Sequence, residues 1–291
     1  MELPLGSAVR RTSPASRRRA PLRASAAMLT LLALAGCETA GVLRPPGRGF
    51  AETDAADPRA ANANIESLSE VIRRNPSPEA YNTRGVALAK IGQFQEAIAD
   101  FSQAIKIEPN NAAAFTNRAL AFRQIGRNDQ ARLDFDRAVD VNPNHAPAYI
   151  GRANLLRAQG NLEQALADLD AAIKLNPESA QAFHARGLIH QKRGDNQRAV
   201  TDFDNAIDRD PFAAAPYQAR GESLVTLGNY DKAIEDFNAA LNVDNKSAPA
   251  WAWLGLAYER KGNRQKASES YQRALALDPQ QPIAKQGASR G

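Results

Sequence analysis

A period of 34 residues runs through most of this 291-residue chain and constrains its fold more than any other feature. From Pro78 to Gln281 the sequence repeats itself without an insertion, so that six units account for 204 of the 291 residues. Self-similarity at such a period is the signature of a repeat architecture, in which each unit packs against its neighbours. The units are residues 78–111, 112–145, 146–179, 180–213, 214–247 and 248–281.

Several positions of the unit carry one kind of residue throughout. The fourth is aromatic, the eighth is Gly or Ala, and the twentieth and twenty-seventh are Ala in all six units. Positions 4, 7, 8 and 11 form one helical stripe and positions 20, 21, 24, 27 and 28 form another, which predicts a pair of helices in each unit. Gly at position 15 supplies the turn between them, and Pro at position 32 ends the second helix in five of the six units.

This pattern resembles the tetratricopeptide repeat, a helical hairpin of the same period. The resemblance covers residues 78–281 and implies an all-α fold, a right-handed α-solenoid of six tandem hairpins with a concave groove. Upstream, apolar residues from Ile65 to Ile72 lie on one helix face, which predicts that residues 60–77 form a capping half-repeat. Residues 282–291 are expected to be a flexible tail, with Ser268 helping the last helix of the array to act as its own polar cap.

The charge of the chain is concentrated at its N-terminus. The formal net charge is +5, and residues 1–36 contain six Arg and a single acid, so the whole excess lies there. The remaining residues carry 31 bases and 31 acids. We therefore expect no nucleic-acid partner, although a basic chain would ordinarily suggest one. A single cysteine also excludes a disulfide framework.

The N-terminal segment has the organisation of a secretory signal peptide. Its basic stretch is followed by thirteen uncharged residues, Ala24–Gly36, and then by the only cysteine, Cys37. An apolar run of this length fits a signal peptide, whereas a helix that spans a bilayer needs about 20 residues. The tetrapeptide Leu34-Ala35-Gly36-Cys37 resembles the lipobox of bacterial lipoproteins.

The lipobox resemblance implies that residues 1–36 are removed and that Cys37 is acylated, which would anchor the protein in the bacterial envelope. In that family the residue after the cysteine influences sorting, and Glu38 favours the outer membrane. Residues 37–59 mix Pro, Gly and charged residues, so they are expected to form the lipidated cysteine and a flexible tether.

Arginine occupies position 7 in five units, although this position is usually apolar in the family. The same five units carry Asp at position 23, whereas the sixth has Leu254 and Ser270. Because Arg and Asp occur together, we expect an ion pair between the two helices of each hairpin rather than a phosphate-binding track. The expected pairs are Arg84–Asp100, Arg118–Asp134, Arg152–Asp168, Arg186–Asp202 and Arg220–Asp236.

The concave face is, by resemblance, lined by positions 2, 5, 9, 12 and 13. Here its middle is basic and rich in amides and its C-terminal end is acidic, which favours an extended peptide or a partner helix with an acidic segment. The clamp of chaperone-binding relatives is absent, because Asn82 and Val86 stand where it needs Lys and Asn. The candidate ligand-binding residues are Asn82, Lys90, Thr116, Arg123, Asn154, Arg157, His184, Gln191, Lys192, Gln218, Glu222, Glu259 and Arg260.

No pattern of catalytic or cofactor-binding residues appears in the sequence. There is no Gly-rich phosphate loop, zinc-spaced pair or nucleophile elbow. His184 and His190 are six residues apart and do not share a helix face, and His145 falls in a turn between repeats. We therefore expect no enzyme activity, no cofactor, no metal and no small-molecule substrate.

Two hypotheses follow from the sequence. The first is a noncatalytic scaffold anchored to the bacterial envelope, which by resemblance serves periplasmic hydrolases and proteases or the assembly of pili and secretion machines. The second is a cytoplasmic co-chaperone-like module with a misassigned N-terminus. In both, the partners are other proteins.

Overall fold

The computed structural model describes residues 58–290, which form fourteen α-helices and no strand. The signal peptide, Cys37 and most of the tether therefore lie outside the described residues. Each unit contributes a first helix of 13 residues and a second of 14. None of these helices is both long and apolar enough to cross a membrane.

The helices recur at the 34-residue period. Helix α1 spans Pro58–Arg74 and precedes the first unit. The first helices of the units are α2 Pro78–Lys90, α4 Ala112–Gln124, α6 Ala146–Ala158, α8 Ala180–Lys192, α10 Ala214–Thr226 and α12 Ala248–Arg260. The second helices are α3 Phe94–Ile107, α5 Asn128–Val141, α7 Leu162–Leu175, α9 Asn196–Arg209, α11 Tyr230–Val243 and α13 Arg264–Leu277.

The turn inside each hairpin needs glycine at position 15. All six glycines there have φ between +75° and +87°, a conformation that side chains with a Cβ rarely adopt. The residue before four of the six first helices caps its helix, because its side-chain oxygen accepts a hydrogen bond from a backbone N–H of the first turn. These capping residues are Ser77, Asn111, Ser179 and Ser247.

The core of each hairpin forms where the large residue at position 24, which is Leu in the third unit and aromatic in the other five, meets the small residue at position 8. Phe101, Phe203 and Phe237 are fully buried. A methyl group built on Gly221 would lie 2.7 Å from Cε1 of Phe237, so only glycine allows this approach. Alanines at positions 20 and 27 are buried in every unit and let the two helices pack closely.

The stacking of the units defines an inner and an outer layer. Within residues 58–290, first helices of consecutive units contact each other along the whole array, whereas consecutive second helices make no such contact. The first helices are therefore closer together and line the concave side, and the second helices form the outer side. The candidate groove positions lie on the first helices, as the family resemblance implies.

The C-terminal end differs from the sequence prediction. The prediction that residues 282–291 form a flexible tail is wrong. Pro282–Ala288 form helix α14, which packs against α12 and α13. Pro282 follows Ala248 by one period, so α14 occupies the place of the first helix of a seventh unit. The last helix of the array, α13, is thus covered by α14 rather than acting as its own polar cap.

Two contacts hold α14 in place. Gly287 lies directly on the ring of Tyr271 of α13, and a methyl group at that glycine would fall 2.2 Å from the ring. The hydroxyl of Tyr271 donates to Glu259 at 2.6 Å, and Arg290 donates to both oxygens of the same carboxylate at 2.9 Å. The carboxylate therefore joins α12, α13 and the end of the chain.

Candidate functional site

The arginines at position 7 form bidentate ion pairs with the aspartates at position 23. In the third unit, Nε and Nη2 of Arg152 donate to the two carboxylate oxygens of Asp168 at 2.8 and 2.7 Å. The aspartate is 8% exposed, so the pair is largely removed from water. The same geometry, with distances of 2.6 to 3.0 Å, holds for Arg84–Asp100, Arg118–Asp134, Arg186–Asp202 and Arg220–Asp236.

Each of these arginines also has a partner in the preceding second helix, which the sequence analysis did not identify. Nη1 of Arg152 donates to Asp136 of α5 at 2.8 Å, and Nη1 of Arg186 donates to Asp170 of α7 at 2.7 Å. Position 25 supplies these acceptors in units one to four, as Ser or Asp. The coincidence of a polar residue there with an arginine in the next unit is a signal that could have revealed them. We call the resulting chain of contacts the arginine ladder.

Every arginine of the arginine ladder is bound by other side chains of the protein. Its hydrogen bonds to Asp168 and Asp136 raise the pKa of Arg152 above the ordinary arginine value, against the opposing effect of burial. Each guanidinium also lies 5.6 to 5.9 Å from the centre of the aromatic ring at position 4 of its own unit. The arginine ladder therefore joins helices and units, and all three nitrogens of each guanidinium already donate to groups of the protein.

Several candidate groove residues also serve contacts within the protein. Thr116 is wrong as a ligand-binding candidate, because it is buried and its hydroxyl donates to the carbonyl of Ala112 in its own helix at 2.8 Å. The amide of Gln191 donates to the carbonyl of Ala219 and to Oγ of Ser223, both at 3.1 Å. These two hydrogen bonds link α8 to α10.

The remaining polar candidates of the middle groove are more open. Asn82 is half-buried and accepts a hydrogen bond from Asn117 of α4 at 2.9 Å. Asn154 is half-buried on α6, and Lys90 and Lys192 are exposed at the ends of α2 and α8. The lysines can therefore contact a ligand only at the edge of the groove.

The acidic end of the groove divides into two parts. The amide of Gln218 donates to Glu222 at 2.9 Å, and burial raises the pKa of the Glu222 carboxyl despite this bond. Glu259 instead belongs to the C-terminal contact, where the hydrogen bond from Arg290 lowers the pKa of its carboxyl. Arg260 is exposed. At this end of the array, Glu222 is thus the acidic candidate that lies in the groove itself.

Arg123, Arg157 and His184 lie together in the middle of the groove, on α4, α6 and α8. Burial lowers the pKa of Arg123, and the nearby charge of Arg157 lowers it further. Burial also lowers the pKa of His184 to about 4, with a smaller contribution from Arg157, so its imidazole is neutral at pH 7. Among residues 58–290, no carboxylate forms an ion pair with Arg123 or Arg157.

Arg157 also leaves a donor unused. Its Nε is buried and has no hydrogen-bond partner among the described residues. Buried polar groups in proteins are nearly always hydrogen-bonded, and an arginine has five donors in a fixed plane. We call Arg123, Arg157 and His184 the central basic cluster, which combines two uncompensated charges with one neutral ring.

The repeated hairpins, their inner layer of first helices and the polar groove define a helical-repeat interaction module. Family models of the tetratricopeptide repeat match the array from end to end, and the chain belongs to the tetratricopeptide repeat family. Its members are scaffolds for protein–protein interactions and are typically noncatalytic. The matched residues are 78–111, 112–145, 135–167, 153–194, 184–241 and 218–282.

Solved structures share this fold at low sequence identity. One is a chain of the APC/C hetero-tetramer Cut9–Hcn1, which is 21% identical in sequence and has a TM-score of 0.71. The match covers 79% of the present protein but only 46% of the Cut9–Hcn1 chain, so the present protein spans about half the length of that relative. PilF of Pseudomonas aeruginosa is 16% identical with a TM-score of 0.67, covering 78% of this chain and 100% of its own. These identities establish a common fold alone.

A third structure concerns a peptide-binding protein. YrrB is described as a tetratricopeptide repeat (TPR) protein with an unusual peptide-binding site. It is 23% identical in sequence and has a TM-score of 0.54, and the match covers 65% of the present protein and 97% of YrrB. No curated protein sequence is significantly similar to this chain.

Proposed function

We propose that this protein is a noncatalytic scaffold held at the bacterial cell envelope by a lipid on Cys37, with a groove that binds peptide or helical segments of partner proteins. The observation that carries the groove assignment is the central basic cluster, whose two arginines have no acidic partner among residues 58–290. The arginine ladder provides the contrast, because each of its arginines has an acidic partner.

The envelope location is supported by the sequence of the leader. A basic segment, an uncharged run of thirteen residues, a pair of small residues and the sole cysteine occur in the order that a lipoprotein signal requires. Glu38 supports the outer membrane as the destination. The tether of residues 37–59 would let the solenoid stand roughly 25 to 30 Å away from the bilayer surface.

The process that such a scaffold serves is an assembly or regulatory step of the envelope. By family resemblance, the partner is a component of pilus or secretion machinery, or a periplasmic hydrolase that needs an adaptor. The alternative of a cytoplasmic co-chaperone-like module would require the unlipidated chain to function in the cytosol.

Lipidation is tested by growing bacteria that express the chain with an alkyne-labelled fatty acid. The wild-type chain is expected to carry the label in the membrane fraction, and Cys37→Ala is expected to lose both label and membrane association. Ala35→Ser, which keeps a small residue before the cleavage site, serves as the control and should remain labelled. An unlabelled wild-type chain in the soluble fraction would contradict the envelope assignment and favour the cytoplasmic alternative.

The groove is tested by cross-linked pull-down from envelopes. The wild-type chain is compared with a variant that lacks the charges of Arg123, Arg157 and Lys192. Partners that bind the groove should be lost from the variant and retained by Arg137→Gln, which changes an exposed arginine of the outer helix α5. Identical partner lists for all three proteins would contradict the groove assignment.

A further inference from the structure

We infer that Arg123 and Arg157 form the binding site for a single carboxylate, carried by an Asp or Glu side chain of a partner segment whose neighbouring residues are aliphatic. This inference rests on the proposed function of the groove and specifies the chemistry of what it binds.

The first argument is the placement of the two arginines. Both occupy position 12, in the first helices of two consecutive units, and they are close enough for Arg157 to lower the pKa of Arg123. Two like charges in a half-buried site repel each other and lose hydration, so the empty site is electrostatically unfavourable. An anion bound between the guanidinium groups would remove both effects, and paired N–H donors of arginine match a carboxylate.

The second argument is that the charge is local. Position 12 in the unit before Arg123 is Ala89, and in the unit after Arg157 it is Gln191, whose amide is already engaged with α10. A nucleic acid or another polyanion would need cations repeated along the groove. The lysines that follow these two residues, Lys90 and Lys192, are exposed at the edge of the groove, so the half-buried charge inside it is limited to two adjacent arginines, which fit one anionic group.

The third argument comes from the surroundings of the pair. Leu120 of α4 and Leu188 of α8 occupy position 9 and are half-buried, and Asn154 occupies the same position between them. This surface favours contacts with aliphatic side chains on both sides of an acidic residue. A phosphate group, which carries close to two negative charges at pH 7, would be better matched by a third cation, but His184 is neutral there.

The binding test uses the full chain labelled with ¹⁵N and the peptide acetyl-Leu-Glu-Leu-amide. The NMR signals of the Nε–H groups of Arg123 and Arg157 are expected to shift together and to saturate. The glutamine analogue acetyl-Leu-Gln-Leu-amide should bind at least about tenfold more weakly, because it lacks the charge. Equal binding of the two peptides would overturn the inference.

Variants and a second anion make the test specific. The double variant Arg123→Gln/Arg157→Gln should lose the preference for the Glu peptide, and Arg137→Gln should retain it. Inorganic phosphate is titrated in parallel. If phosphate displaces the Glu peptide at a lower concentration than the peptide requires to bind, the site is one for phosphate groups and the carboxylate inference fails.

A thermal measurement provides a readout that needs no ligand. Because Nε of Arg157 is buried without a hydrogen-bond partner and the residue lies beside a like charge, Arg157→Gln should melt at or above the temperature of the wild-type chain. A clearly lower melting temperature would mean that Arg157 is already compensated, which overturns the inference. Binding of the Glu peptide should raise the melting temperature of the wild-type chain only.

The outcomes separate this inference from the proposed function. If the double variant loses the Glu peptide but captures the same envelope partners, the partners do not use this site and the inference is wrong, while the scaffold function remains. If the wild-type chain captures no partner at all, the proposed function fails even where the peptide binds.

Discussion

At the scale of single residues, arginine has a structural role at one position of helix α6 and an open binding capacity at another. Arg152 is held by two aspartates and contributes to the joining of two units, whereas Arg157 lies five residues further along the same helix and has no acidic partner in the described part of the chain. The Arg–Asp pairing could be predicted because the two residues occur together across repeats. The absence of a partner for Arg157 could not, because it depends on what lies on the neighbouring first helices.

The ion pairs predict an order of stabilities. Asp168→Ala leaves the half-buried Arg152 with only Asp136 as partner, and we expect it to lower the free energy of unfolding by about 3 kcal/mol. Arg152→Leu combined with Asp168→Ser reproduces the residues of the sixth unit and should cost less. Urea denaturation of both variants checks this order, and equal midpoints would contradict the structural role of the pair.

The buried imidazole of His184 predicts a pH dependence of stability. Its pKa is about 4 in the folded chain and about 6.5 when unfolded, so the unfolded chain binds more protons between these values. Stability should therefore fall as the pH drops from 7 to 5, and His184 should account for about 2 kcal/mol of that fall.

Unfolding of His184→Gln at pH 7 and pH 5 measures this contribution. The variant should lose less stability than the wild-type chain over the same range, because Gln does not titrate. His145, whose pKa is also lowered by burial, is present in both proteins and cancels in the comparison. An equal loss in both proteins would show that His184 is accessible to protons in the folded chain.

At the scale of helices, the 34-residue period of the sequence is enough to predict the six hairpins. Glycine at position 15 and the capping residues at position 34 fix where helices begin and end, and α11 ends at Val243 although its unit lacks the proline. Helix α14 was missed because seven residues carry too little periodic signal, and an isolated helix of that length is unstable. Its packing depends on Gly287 meeting Tyr271, which is a tertiary contact.

Helix packing predicts an inverted effect of a glycine substitution. In the middle of an exposed helix, replacing Gly by Ala usually stabilises a protein by about 0.5 to 1 kcal/mol. At Gly221 the added methyl group would collide with the ring of Phe237, so Gly221→Ala should destabilise by about 1 to 3 kcal/mol. Thermal denaturation decides the sign, and a higher melting temperature would contradict the packing of the hairpin.

At the scale of the whole molecule, the described array is a stack of units joined by repeated contacts. The arginine ladder links α1 through α11 and stops at the sixth unit, where Leu254 replaces the arginine and the Tyr271–Glu259–Arg290 contact takes over. The composition predicted a charge-balanced array, since the basic excess lies in residues 1–36. It could not predict where the remaining charges are unpaired, because pairing is decided by the stacking of units.

The most direct test of this account places a photo-cross-linking amino acid at one position of the chain in living cells. At Leu120, in the groove beside the central basic cluster, it should capture a discrete partner protein, and Arg123→Gln/Arg157→Gln should abolish that product. At Leu133, which is 69% exposed on the outer helix α5, it should not capture the same protein. The same product from both positions, unaffected by the arginine substitutions, would contradict binding in the groove.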